Sequence, residues 1–107
     1  MMTLTELRYL VALAQTGHFG KAAESCHVSQ PTLSIALKKL EDELGVALIE
    51  RTKNKVLTTT VGERIVAQAK VVLAQAHVLE EIASAGKNAL TSPLRLGAIF
   101  TIGPYLF

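Results

Sequence analysis

Val61, Ile65, Ala69, Val72, Ala76, Leu79 and Ala83 recur in steps of four and three, the spacing that keeps apolar side chains on one side of a helix packed lengthwise against another. Thr60 and Glu63 stand at the capping-box spacing before this lane, and Gly86 supplies a stop after it, so one long helix is predicted to end near Gly86. At about 1.5 Å per residue it would extend on the order of 35 to 40 Å, more than a small module needs internally. Glu63, Lys70, His77, Glu81 and Ser84 fall on its opposite face, which bounds the apolar side. The lane therefore needs cover, most simply from the same helix of a second copy; packing on a further domain is the alternative.

A chain of 107 residues has room for one small domain and this appendage, which argues against a large enzyme. Half the residues are hydrophobic, yet no apolar run approaches the roughly 18 residues that cross a bilayer. Met1 to Glu6 lacks the basic-then-apolar order of a secretion signal, and Cys26 stands alone, offering neither an intrachain disulfide nor a cysteine zinc cluster. A cytoplasmic protein without a membrane partner is expected. The net charge of +2 and a pI near 8.9 permit a nucleic-acid partner without demanding one.

Before the long helix, three shorter ones are predicted. Thr3 and Glu6 have the capping-box spacing, and Leu4, Leu7, Leu10, Val11 and Ala14 then share one side of a helix from about Leu4 to Gln15, stopped by Gly17. A short segment follows from Phe19 through Gly20 to Cys26, with Ala22 and Ala23 small enough for close helix contact. After the turn at His27 and Val28, Ser29 is a suitable N-cap with Pro31 in the first turn. Leu33, Leu37, Leu40 and Leu44 form one stripe along this third helix and Gly45 ends it. Its other face carries Pro31, Ile35, Lys38 and Asp42, flanked by Thr32, Ser34 and Lys39. Val46 to Arg51 and Val56 to Thr59 are β-prone runs joined by the basic tip Thr52-Lys53-Asn54-Lys55, suited to a hairpin.

Two helices joined by a tight turn, the second with a serine cap and a polar outer face, match a helix-turn-helix, and the hairpin adds a wing. Amides at the start of the third helix aim their dipole at a phosphate, while Gln30, Thr32 and Ser34 can bond phosphate or base edges. Lys38, Lys39, Arg51, Lys53 and Lys55 can add charge, which supplies affinity with little sequence choice. The pattern is also compatible with plain helical packing, and the basic tip with a solvated loop.

The order and spacing of Phe19-Gly20-Lys21-Ala22-Ala23, Val28-Ser29-Gln30-Pro31-Thr32-Leu33-Ser34, Leu40-Glu41-Asp42-Glu43-Leu44-Gly45 and Glu50-Arg51-Thr52 resemble the LysR-type transcriptional regulators over essentially the whole chain. Ser25 to Ser34, Lys39 to Leu44 and Thr101 to Leu106 look like the peroxide-sensing OxyR branch of that family. The resemblance implies a mostly α fold: a winged helix-turn-helix over 1–60, its helix-turn-helix at about 19–38, a dimerisation linker helix over 61–88, and over 89–107 a hinge and the first strand of an α/β effector domain that continues beyond this chain. It further implies that Gln30, Pro31, Thr32, Ser34 and Lys38 read double-stranded DNA, with Arg51 and Lys53 at the wing. Many relatives carry arginine where this chain has Ile35, so no polar base contact is assigned there; contact with a thymine methyl is the open alternative.

Leu94 to Phe100 reads as a buried strand, which cannot stand without a sheet; the chain is therefore expected to be part of a longer protein. Cys26, at the end of a short helix, is read as packing, and the resemblance puts the family's peroxide-reactive cysteines beyond Phe107. His18, His27 and His77 are too dispersed for a metal set, and neither Cys26 with His27 nor Ser29 or Ser34 has the partners nucleophilic chemistry requires. No enzyme, cofactor or metal is expected. The expected role is recognition of a two-fold promoter site by a homodimer, which can pair into a tetramer, with RNA polymerase as a partner of the full-length regulator. The rival is a helical protein-interaction module whose basic wing is incidental.

Overall fold

The computed structural model describes residues 1–52 and 55–91, with side chains as far as Lys87. Four helices, α1 (Leu4–Thr16), α2 (Phe19–Ser25), α3 (Gln30–Leu44) and α4 (Thr60–Thr91), are joined by a hairpin of β1 (Ile49–Arg51) and β2 (Val56–Thr58) between the last two. The chain forms two compact units, Met1–Leu73 and Ala74–Phe107, so the division falls within α4. The predicted strand Leu94 to Phe100, the segment from Thr101, and Lys53 at the wing tip lie outside the described residues.

Helix α1 opens with the expected capping box: Thr3 N donates to Glu6 Oε1 at 2.8 Å and Glu6 N to Thr3 Oγ1 at 3.2 Å, which satisfies two end donors at once. Its buried side is Leu7, Leu10 and Leu13, whereas Leu4 and Ala14 are exposed. The anticipated lane of Leu4, Leu7, Leu10, Val11 and Ala14 is thus rotated. A leucine-rich helix carries two adjoining apolar lanes, and the packing of α2 and α3 selects between them.

Between α2 and α3 the chain turns through a Schellman motif. Val28 N donates to Ala23 O at 3.0 Å and His27 N to Glu24 O at 3.1 Å, while His27 takes a left-handed φ of 59°. That geometry closes a helix by satisfying its last carbonyls. It ends α2 at Ser25, one residue before the expected Cys26. Ser29 Oγ then accepts from Thr32 N at 3.3 Å, capping α3, and Gly45, also left-handed, stops it. Ala22 and Ala23 are both buried, so two small side chains let the short α2 lie close to its neighbours.

Leu10, Leu13, Leu33, Leu37, Leu40 and Leu48 are fully buried, each stabilising the first unit by about 2 kcal/mol relative to exposure. Leu44, expected in the same stripe, is exposed instead, because the last turn of α3 passes the edge of the core. The hairpin is antiparallel, pairing Ile49 with Thr58, Glu50 with Leu57 and Arg51 with Val56. It begins later than the predicted Val46 because Leu48 N and Ile49 N are diverted to Glu41 Oε2, at 2.7 and 3.3 Å.

The cap of α4 is Thr59, not Thr60. Its hydroxyl accepts from Gly62 N at 2.9 Å and donates to Ala47 O at 2.7 Å, so one side chain starts the helix and ties it to the segment before β1. Gly62 is required here, since a Cβ would lie 2.1 Å from Leu48 O. At the other end α4 passes through Gly86 to Thr91 and so runs past the predicted stop and into the start of the stretch expected as a hinge. A glycine inside a helix costs about 1 kcal/mol but does not by itself end it.

Candidate nucleic-acid interface

The turn and caps just described present α3 with Leu33, Leu37 and Leu40 inward and Pro31, Thr32, Ile35, Lys38 and Lys39 exposed. Of the first amides of α3, Pro31 has none and Thr32 N is given to Ser29. The open donors at this helix end therefore narrow to Ser29 N and Gln30 N, fewer than the sequence suggests. The Thr32 hydroxyl lies 2.8 Å from Ser29 Oγ, so it must share that bond with any ligand. Lys38 stands 3.5 Å from Asp42, both side chains largely exposed. Such pairs are worth a few tenths of a kcal/mol, so a phosphate can displace Asp42 readily.

Arg51, at the end of β1, lays its guanidinium over the Phe19 ring, 4.4 Å from the centroid. This cation–π contact contributes about 0.5–1 kcal/mol at an exposed site and holds a long side chain in one direction. Two depressions meet at this pair. One, of about 290 Å³, is bordered by Gly20, Gln30, Thr52 and Lys55. The other, of about 110 Å³, is bordered by Ser34, Lys38 and Glu41. Of the expected DNA-reading residues, the fold thus brings Gln30, Ser34, Lys38 and Arg51 around a single aromatic support, with Pro31 and Thr32 exposed beside them. Lys53 lies outside the described residues.

Phe19 was not anticipated in this role. The sequence signal available was an aromatic residue at the start of the helix-turn-helix beside two glycines, but its pairing with Arg51 spans 32 positions and needs the fold. Glu41 was likewise missed: by accepting from the backbone amides of Leu48 and of Ile49, the first residue of β1, it ties the wing to α3, so helix and wing present their charges from one body.

The expected dimerisation lane divides between the two units. In the first, Ala69 is 3% exposed in the core, and Ile65 and Val72 pack against that core, with Val61 partly exposed at the start. In the second, Ala76 is half-buried, Ala83 is exposed, and Leu79 is 67% exposed. Val78 and Ile82, adjacent to the predicted lane, are exposed as well. No helix among the described residues is long and apolar enough to cross a membrane.

The three short helices, the hairpin and the long helix after it define a winged helix-turn-helix protein. Residues 4–63 match the bacterial regulatory helix-turn-helix proteins of the lysR family, and the chain belongs to that family, one of regulators and not of enzymes. It is 56% identical over 105 residues to a hydrogen peroxide-inducible genes activator of Dickeya chrysanthemi, a match that covers 98% of this chain and 34% of that protein. Among solved structures it is similar to full-length OxyR C199D from Pseudomonas aeruginosa, with a TM-score of 0.80 and 67% identity over 84% of this chain and 30% of that one. It is also similar to the CbnR DNA-binding domain in a DNA complex, with a TM-score of 0.76 and 31% identity over 80% of this chain and 99% of that one. The chain spans about a third of the length of the curated relatives it matches.

Proposed function

We propose that this chain is the DNA-reading part of a LysR-type transcription regulator that binds a two-fold promoter site as a dimer, one α3 in each half-site. The observation that carries this is the convergence of Gln30, Ser34, Lys38 and Arg51 around Phe19. A polar helix face flanked by a braced arginine suits base edges in the major groove and phosphate beside it. Pro31 and Thr32, exposed directly after Gln30, join the reading set, and Lys53, by its place in the wing sequence, adds a phosphate contact.

The division is 1–60 for DNA reading, 61–88 for the linker and 89–107 for the hinge and start of an effector domain. Val61, Ile65, Ala69, Val72, Ala76, Leu79 and Ala83 form the dimerisation side, its exposed part at Leu79 and Ala83 meeting the second copy, with the half-buried Ala76 beside it. The spacing between the two reading helices then follows from how the linker helices pair. In the full-length protein, similarity to hydrogen peroxide-inducible activators supports a peroxide-responsive regulator; action in the cytoplasm on the nucleoid, pairing into tetramers and contact with RNA polymerase complete the same proposal.

The test is a fluorescence-anisotropy titration of the chain against duplexes selected from a random pool and against scrambled ones. Binding should weaken about a hundredfold between 50 and 200 mM salt if four phosphates are contacted. Gln30→Ala should bind with the same salt response but lose the preference for selected duplexes. Absence of binding to every duplex at both salts would sink the proposal, and salt-insensitive capture of a protein helix would mark an interaction module instead.

A further inference from the structure

We infer that Ile35 is a specificity-determining residue that reads the C5 methyl of a thymine in the major groove. This rests on the DNA-reading role proposed for α3. Ile35 is 70% exposed and has no part in the core cluster. It sits at the centre of the outward face, one turn after Pro31 and one turn before Lys38 and Lys39, opposite the buried Leu33, Leu37 and Leu40.

Single exposed apolar residues are ordinary on protein surfaces, so exposure alone decides nothing; position does. Ile35 contributes nothing to the core, and a β-branched residue is a poorer helix former than alanine or lysine. Neither local folding nor packing explains an isoleucine at this point. A helix that docks in an apolar protein groove needs anchors repeated at i, i+3, i+4 and i+7, but the positions after Ile35 on that spacing are Lys38, Lys39 and Asp42. The surroundings are those of a phosphate-facing surface with one apolar point at its middle. On the major-groove edges of the base pairs, the thymine methyl is the apolar group that distinguishes one base from the others.

The experiment takes duplexes selected by the wild-type chain, replaces each thymine in turn with deoxyuridine, and measures Kd for wild type and Ile35→Ala. At one position per half-site, loss of the methyl should weaken wild type about fourfold, the effect of withdrawing one buried methyl group. Ile35→Ala should bind the thymine and uracil duplexes equally there, with unchanged helical circular dichroism and salt dependence. The inference fails if no uracil substitution separates the two proteins, or if Ile35→Ala keeps the methyl preference while binding remains salt-sensitive; the DNA-reading role survives that result. No binding of the wild type to any duplex overturns both.

Discussion

From Thr60 to Leu73, α4 sends Ile65, Val66, Ala69, Val72 and Leu73 against the leucines of the winged module, whereas from Ala74 onward Leu79 and Ile82 are 67% and 68% exposed. The apolar spacing is nearly uniform along both stretches. Periodicity states that a helix needs cover along one side, yet it is silent on where the cover comes from. In the first stretch it comes from the chain's own core, so the lane predicted for dimerisation is there largely a folding surface.

The contrast can be broken most severely at the start of α4. Gly62→Val would press a side chain against Leu48 O, where even a Cβ would sit at 2.1 Å. Backbone cannot yield as a side-chain tip can, so a loss of about 3 kcal/mol in urea unfolding is expected. A loss under 1 kcal/mol would mean that α4 is not held at Leu48.

Next in size is a matched pair. Ala69→Asp places an unpaired carboxylate in the core and should cost about 2–3 kcal/mol, while Ala83→Asp should cost about 0.7 kcal/mol through helix propensity at protein concentrations low enough to keep the chain monomeric. Equal costs would remove the distinction between the two stretches. Double substitution of Leu79 and Ile82 by alanine sharpens it from the other side. We expect dimer dissociation in sedimentation equilibrium to become about tenfold easier, equivalent to about 1.4 kcal/mol, with the unfolding free energy of the monomer changed by less than about 0.5 kcal/mol. The smallest effect belongs to the wing: Phe19→Leu, which removes the ring under Arg51, should lower stability by no more than about 1 kcal/mol. Its expected signature is weaker DNA binding with the base preference of α3 retained.

The elements that sequence reading placed well are those written by neighbours in the chain. Thr3 with Glu6, Ser29 with Thr32, and the stops at Gly17 and Gly45 are contacts over three or four residues, and local chemistry determines them. Its errors share a different cause. Thr60 and Glu63 imitate a capping box, but Thr59 wins because its hydroxyl can also reach Ala47 O, 12 positions back. Leu13 displaces Ala14, and Leu44 leaves the stripe, because the side of a helix that becomes interior depends on which elements lie against it.

The candidate site divides in the same way. The outer face of α3, with Lys38 and its flank at Ser34, is legible because helical spacing turns it away from Leu33, Leu37 and Leu40, and Gln30 is legible from its place just after the Ser29 cap. The placing of Arg51 over Phe19, 32 positions apart, and the tie from Glu41 across the turn to Leu48 and Ile49 are not, since each joins residues of different elements. The sequence by itself determined the succession of helices, turn and hairpin, through caps and periodicities acting within a few residues. Only the tertiary structure decided which part of the long apolar lane is consumed inside, which part stays open, and which side chain braces the wing arginine. Burial and charge placement depend on what stands opposite in space, and no local spacing encodes that.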